Sequence, residues 1–305
     1  MIQIIDKKKC CGCSACSLKC PVHCITMEPD SEGFLYPHVQ MGLCISCGLC
    51  EKVCPILNKI QVKRESTRAF GAYAKDEKIR QESSSGGIFT LLSERCLQKG
   101  GVVFGAAFDE NFRVKHIEVN NPGQLKQLRG SKYVQSDIND SFQRAERYLK
   151  CGRYVLFSGT PCQVAGLKNY LGRDYEKLFT VDILCHGVPS PKVWDRYVME
   201  QKEKYGLRLL SVTFRDKENG WYDYGMKMDF ESDRYCCSHS KNLFMNLFLS
   251  DLILRPSCYE CQYKEIPRCS DLTLGDFWGV DKVDPEIYDD KGTSLVLIHT
   301  TKGRK

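Results

Sequence analysis

From Ala69 onward, apolar residues switch repeatedly between helical and extended spacing. Ile88, Leu91, Leu92 and Cys96 fall on one helical face, and Gly100-Gly101 closes that helix. Val102–Phe104 then reads as a buried strand and Phe112–Val119 as a more exposed one. Ile138, Phe142, Ala145 and Leu149 mark a second helix, Tyr154–Phe157 a short strand, and Val164, Leu167 and Leu171 the helix after it. The step recurs with a strand at Phe179–Leu184 and a helix marked by Val193, Tyr197 and Val198. Such alternation predicts a mixed α/β body over residues 69–305. Its later part is less regular: Leu209–Phe214 and Tyr222–Phe230 read as strands, Leu243–Leu254 as a strongly apolar helix, and Ser294–Thr300 as a last strand. The sequence stops soon after that strand, at Lys305, so a shortened C-terminus is expected.

Residues 58–68 are charged and without periodicity, and read as a linker. Residues 1–57 have one short strand, at Phe34–Val39, between two cysteine runs. The first is Cys10-Cys-Gly-Cys13-Ser-Ala-Cys16-Ser-Leu-Lys-Cys20-Pro21, the second Cys44-Ile-Ser-Cys47-Gly-Leu-Cys50-Glu-Lys-Val-Cys54-Pro55. Each is C-x2-C-x2-C-x3-C-P, the run that holds [4Fe–4S] cubes in two-cluster ferredoxins, the fourth cysteine serving the other cube. This assigns Cys10, Cys13, Cys16 and Cys54 to one cluster, and Cys44, Cys47, Cys50 and Cys20 to a second. The segment is therefore expected to be an α+β ferredoxin-like dicluster domain. A structural zinc site uses separated C-x2-C pairs and fits the repeated four-cysteine unit less well. Cys11 and Cys24 are extra to the pattern and read as thiols packed beside the cubes, with Cys11 as an alternative ligand to Cys10.

The chain has 305 residues and 19 cysteines, an odd number that argues against complete internal pairing. The charged Lys7–Lys9 follow a very short apolar stretch, which is not a signal peptide, and no run of about twenty apolar residues exists to span a membrane. A reducing cytoplasm is expected. The net charge of +6 is scattered, with small clusters at Lys7–Lys9 and Lys302–Lys305 that read as solvated ends, so nucleic-acid binding is not indicated.

Three loops of the body carry unusual residue sets. Ser83-Ser-Ser-Gly86-Gly87 before a helix suits a cofactor pyrophosphate, and equally an ordinary capped helix start. Arg129-Gly-Ser131-Lys132-Tyr133 suits a flavin or phosphate, and equally a surface turn. Ser158-Gly159-Thr160-Pro161-Cys162-Gln163 and Leu184-Cys185-His186-Gly187 follow predicted strands, where open sheets gather ligands. With Cys258-Tyr-Glu-Cys261 they offer a third four-thiolate site, or separate buried thiols, and Cys269 stands close behind.

Read together, Ser85-Gly86-Gly87, Gly130-Ser131-Lys132-Tyr133, Gly159-Thr160-Pro161-Cys162-Gln163, Cys185-His186-Gly187-Val188-Pro189-Ser190-Pro191, Arg255-Pro256-Ser257-Cys258-x2-Cys261 and Gly275-Asp276-Phe277-Trp278-Gly279 resemble one family. It is the family of coenzyme F420 hydrogenase/dehydrogenase beta subunits, in the bacterial form with an N-terminal dicluster ferredoxin domain. The resemblance implies an iron–sulfur flavoprotein oxidoreductase whose body is a mixed α/β flavin-binding fold. It implies FAD held by Ser84, Ser85, Gly86, Gly87, Ser131, Lys132, Tyr133, Gly159, Thr160 and Pro161, and a third [4Fe–4S] cluster on Cys162, Cys185, Cys258 and Cys261. Lys132 would balance charge on the flavin or a phosphate, and His186 would relay a proton or tune the cluster, or be plainly structural. The expected partner is coenzyme F420, a ferredoxin or another redox protein. The other reading is a non-catalytic electron-transfer subunit. No G-x-G-x-x-G fingerprint follows any strand, so a classical NAD-binding unit is not expected.

Overall fold

The computed structural model describes residues 1–62 and 67–305; part of the 58–68 linker, residues 63–66, lies outside the described residues. The N-terminal segment contains an antiparallel hairpin, β1 (Ile25–Pro29) and β2 (Leu35–Val39), with Ile25 opposite Val39. The body contains β3 (Arg68–Ala72), β4 (Val102–Phe108), β5 (Val114–Val119), β6 (Val155–Gly159), β7 (Leu178–Ile183), β8 (Leu209–Asp216), β9 (Gly225–Phe230), β10 (Arg234–Ser238), β11 (Leu272–Asp276) and β12 (Ser294–Ile298). A seven-stranded sheet has the order β3-β12-β11-β7-β6-β4-β5. Its centre, β4, β6, β7 and β11, is parallel, and β5, β12 and β3 are antiparallel to their neighbours. The body is thus a mixed α/β fold. The start of β6, Val155-Leu-Phe157, is buried without alternation because both faces of the central sheet are covered.

On one face, the helices Ser141–Lys150 and Pro161–Leu171 pack Phe142, Ala145, Leu149, Val164 and Leu167 against Phe104 and Phe157. The same core takes in Cys11, Cys13, Ala15 and Val53 of the N-terminal segment. The ferredoxin-like unit is therefore seated on the sheet rather than hung from it. The helix Ile88–Gln98 covers the other face through Leu97, with Ile88 and Leu92 at its margin. β8, β9 and β10 form a separate antiparallel sheet, whose core joins the helices Pro191–Tyr205 and Leu243–Leu249 through Trp194, Met226, Met228 and Phe244.

Several elements differ from the expected spans for local reasons. Ile138 is fully buried but precedes its helix, because Asn139 adopts a left-handed φ of 47° and the helix begins at Ser141. The apolar run Leu243–Leu254 is helical only to Leu249, and Asp251, at φ 61°, turns the chain. Phe112, also at φ 61°, belongs to the turn before β5.

Candidate functional site

The two cysteine loops of the N-terminal unit fold alike. Gly12 and Ser14 in the first loop, and Ser46 and Gly48 in the second, take left-handed φ values of 69°, 61°, 53° and 72° at equivalent places. A short helix then follows each loop, Ala15–Leu18 and Leu49–Lys52. A left-handed residue without glycine costs about 1 kcal/mol. Each loop carries that cost once, at Ser14 and at Ser46, in order to curl its backbone around a cavity. Cys10, Cys13, Cys16 and Cys54 line one cavity together with Cys11, Ile2, Ile4, Met27 and Ile56. Cys20, Cys44, Cys47 and Cys50 line the other, with Cys24, Val22 and Ile25. Burial, followed by the charges of Cys10 and Cys54, pushes Cys16 up to about 12. Four thiolates in such a place need cations among them, a condition that cluster iron satisfies. Cys24 Sγ lies 3.4 Å from Cys20 Sγ, and burial and that neighbour push Cys24 up to about 11.

The body thiols come from adjacent strand ends. Cys162 sits in the first turn of the helix after β6, whose start is fixed by a capping box in which Gln163 Oε1 accepts from Thr160 N at 3.0 Å. Cys185 follows β7, and Cys258 and Cys261 flank the end of the short helix Pro256–Tyr259. Burial raises Cys185, and Cys162, Cys258 and Cys261 each raise it further. Burial, then Cys162 and Cys261, push Cys258 up to about 11. The four therefore share one electrostatic environment. Cys269 is pushed up to about 11 by burial, with Lys168, Asp182 and Asp271 as charged neighbours, and it packs against the same core as Cys162. Among the described residues no three such side chains close on a point as ligands of a single ion would. A zinc site would set its sulfurs about 3.8 Å apart, given bonds of about 2.3 Å.

Three residues knit the first cavity to the body set. Cys11 interacts with both Cys13 and Cys162. Tyr263 lies near Cys11, Cys13 and Cys162, and its hydroxyl donates to Pro55 O at 2.5 Å. Arg255 Nε donates to Cys10 O at 2.8 Å, and its charge opposes the rise that burial imposes on Cys10. The sequence singled out Cys11 but offered no sign of its contact with Cys162.

The loops expected around a flavin are partly gathered. Ser131 donates to Ser84 Oγ through its N–H at 2.7 Å and its hydroxyl at 3.0 Å. Lys132 Nζ donates to Arg129 O at 2.8 Å and Gly130 O at 3.0 Å, and burial pulls its pKa down to about 7. Gly86 is required by the fold itself, since a Cβ there would stand 2.4 Å from Ala72 O and 2.8 Å from Ser294 N. Ser85 Oγ donates to Thr293 O at 2.9 Å, while Ser85 O accepts from Lys217 Nζ at 2.9 Å. Gly159 and Thr160 border a buried network in which His116 bridges Ser136 Oγ at 2.6 Å and Ser158 O at 2.9 Å, with Pro161 beginning the helix. His186, next to Cys185, is half-exposed, paired with Asp251 Oδ1 at 2.8 Å, and packed on Phe248, which also packs on Tyr133.

Beside Tyr133 stands a group that sequence reasoning did not assign. Arg215 Nη1 donates to Asp276 Oδ2 at 2.6 Å and to Tyr133 OH at 3.3 Å, and its guanidinium lies 3.9 Å from the centre of the Tyr224 ring. Trp221 stacks on Trp278 at 4.5 Å and donates to Asp276 Oδ1 at 3.0 Å. The available signal was limited to Trp278 just after Gly275-Asp276, since Arg215 and Trp221 stand far upstream in the chain.

Among the described residues no helix is long and apolar enough to cross a membrane. The chain is 22% identical over 318 residues to an F(420)H(2) dehydrogenase subunit of Methanosarcina mazei, covering 99% of this chain and 82% of that protein. It is 26% identical over 200 residues to the coenzyme F420-dependent sulfite reductase of Methanocaldococcus jannaschii, covering 63% of this chain but only 30% of that protein. A chain of the F420-reducing [NiFe] hydrogenase complex from Methanosarcina barkeri shares the fold, with a TM-score of 0.52, 19% identity, and 77% and 76% of the two chains covered. Residues 9–57 match the 4Fe–4S dicluster domain, residues 69–142 the N-terminal model and residues 152–305 the C-terminal model of the coenzyme F420 hydrogenase/dehydrogenase beta subunit. With a dicluster unit packed onto a mixed α/β body and its sequence matched by both halves of that subunit, the chain belongs to the family of coenzyme F420 hydrogenase/dehydrogenase beta subunits.

Proposed function

We propose that this protein is an iron–sulfur flavoprotein oxidoreductase of a reducing cytoplasm, passing electrons between its [4Fe–4S] centres, FAD and a redox partner. The partner is coenzyme F420, a ferredoxin or a small-molecule acceptor. When bound, the clusters exchange single electrons and the flavin exchanges pairs. The observation that carries the reading is the continuity of thiols from the N-terminal unit into the body, with Cys11 between Cys13 and Cys162. Cys10, Cys13, Cys16 and Cys54, and separately Cys20, Cys44, Cys47 and Cys50, would hold the first two clusters. Cys162, Cys185, Cys258 and Cys261 would hold the third.

For the flavin, Lys132 offers an ammonium held only by carbonyls, with no carboxylate on it. A half-buried amine of this kind would gain its proton beside an anionic group, and the Ser84–Ser131 pair places hydroxyls on the neighbouring loop. Gly86 gives no separate support, because its missing side chain is explained by Ala72 and Ser294. The second reading is a non-catalytic electron-transfer subunit without bound flavin.

Anaerobic purification with iron, sulfide, zinc and flavin measured on one sample tests both. About twelve iron with one FAD per chain supports the flavoenzyme. About eight to twelve iron with no flavin supports the electron-transfer reading. Zinc without acid-labile sulfide overturns both. Cys258→Ala is expected to lose about four iron and Cys269→Ala none.

A further inference from the structure

Arg255 is fully buried, with 0% of its surface exposed, yet no carboxylate is paired with it among the described residues. Its donors meet neutral acceptors: Nε reaches Cys10 O at 2.8 Å, Nη1 reaches Gln135 Oε1 at 3.0 Å, and Nη2 reaches Leu35 O at 2.9 Å. Nη2 also points at Cys10 Sγ, at 3.6 Å, where the charge is the largest effect opposing burial, while at Cys162 and Cys258 of the body it is a lesser one. The guanidinium lies 4.2 Å from the Tyr36 ring centre and 5.4 Å from that of Phe34. The acidic groups around it are taken: Asp30 by Lys7, at 2.6 Å, and Glu260 by Lys8 and Lys9, at 2.6 and 3.4 Å. Neutral acceptors satisfy the N–H groups but leave the charge uncancelled, which a buried site tolerates poorly. The chain also makes way for it: a Cβ at Gly12 would stand 2.7 Å from Arg255 Nη1.

We infer that Arg255, a residue of the body, is the resident counter-charge of the Cys10–Cys13–Cys16–Cys54 site and raises the reduction potential of the cluster held there. The inference rests on the iron–sulfur reading above. Taking up one electron adds one negative charge to that site. No bond is made or broken at the guanidinium, and its proton stays in place, so the favourable interaction strengthens on reduction. At the second site the cation is the Met1 ammonium, which lines the cavity and feels Cys50 and Cys44, but it is already cancelled by Glu51 Oε1 at 2.9 Å. The two clusters of the N-terminal unit are therefore set at different potentials, the higher one facing the body.

The test is a dithionite titration of the full-length holoprotein, followed by EPR, in wild type, Arg255→Gln and Arg255→Lys, with iron counted in each. In Arg255→Gln one N-terminal cluster should become at least tenfold harder to reduce, about 59 mV for one electron, while the other keeps its midpoint. Arg255→Lys, which keeps the charge and loses the fork, should shift the same cluster by less. If only the lysine variant folds, that smaller shift decides. Full iron with unmoved midpoints overturns this inference alone, as does an equal shift of every cluster. A wild-type protein without iron overturns it together with the reading it rests on.

Discussion

The Cys13 side chain rests directly on Gly166, where a Cβ would stand 2.9 Å from both Cβ and Sγ of Cys13. Gly166 lies one turn beyond Cys162 on the Pro161–Leu171 helix, so the helix that carries a body thiol also forms the floor of the first cysteine loop. Replacing a helical glycine by alanine normally gains about 0.5–1 kcal/mol. Overpacking costs about 1–3 kcal/mol and should prevail here. Gly166→Ala should lower stability by about 1 kcal/mol or more and release iron from the N-terminal unit. Urea unfolding under argon, with an iron count, reads both; a more stable variant with full iron would show that the contact is loose.

Cys11 and Cys10 both line the first cavity, but Cys11 is turned towards Cys162. Cys11→Ala should keep its iron, whereas Cys10→Ala should lose about four per chain. Iron and sulfide analysis of the two variants separates them, and the opposite result would make Cys11 the ligand.

The Arg215–Asp276 pair is buried, with side-chain exposures of 3% and 17%. Removing one partner of such a pair costs about 3–5 kcal/mol, since it strands the other charge. Asp276→Ala also removes the acceptor of Trp221 Nε1. By contrast Arg113 and Asp195 are 67% and 37% exposed, and Asp195→Ala should cost no more than about 1 kcal/mol. Equal, small losses in parallel denaturation curves would mean that water reaches Arg215.

Burial pulls His116 down to about 4, against 6.5 for an ordinary histidine. The folded state thus holds His116 neutral while the unfolded chain binds a proton below 6.5, so this site favours folding less as pH falls from 6.5 towards 4. The slope is about 1.4 kcal/mol per pH unit in that window. With Nε2 donating to Ser158 O, Nδ1 is left to accept from Ser136 Oγ. His299, pulled down to about 4 by burial and then by Arg268, adds a second loss of the same sign. His116→Gln should flatten the dependence of unfolding free energy on pH between 6.5 and 5.5; an unchanged slope would mean that the imidazole is hydrated.

The ferredoxin-like unit was legible because its chemistry is local: eight cysteines at fixed spacings place themselves within two short loops. The central strands β4 and β6 were legible because burial on both faces leaves an apolar run, and β7 was legible as a second strand-into-loop step although Thr180 and Asp182 interrupt it. β11 was not, although it pairs with β7 on one side and β12 on the other. Its five residues, Leu272-Thr-Leu-Gly-Asp276, are too short and too mixed to declare a period. The Arg215–Asp276–Trp221–Trp278 group was hidden for another reason, since its members meet only through tertiary packing. The meaning of Gly86 also reversed: glycine before a helix suggested a ligand, yet the neighbour that excludes a side chain is the protein's own backbone.

The segment Arg255–Tyr263 supplies two body thiols and also grips the N-terminal unit. Arg255 donates to Cys10 O at 2.8 Å, Glu260 pairs with Lys8 at 2.6 Å, and Tyr263 donates to Pro55 O at 2.5 Å. Ordering its cysteines and fastening the front of the chain therefore depend on the same nine residues. Damage to those thiols would spread to the front unit as a loosened clasp, so a chain that fails to complete its body also forfeits a firm hold on its ferredoxin-like front.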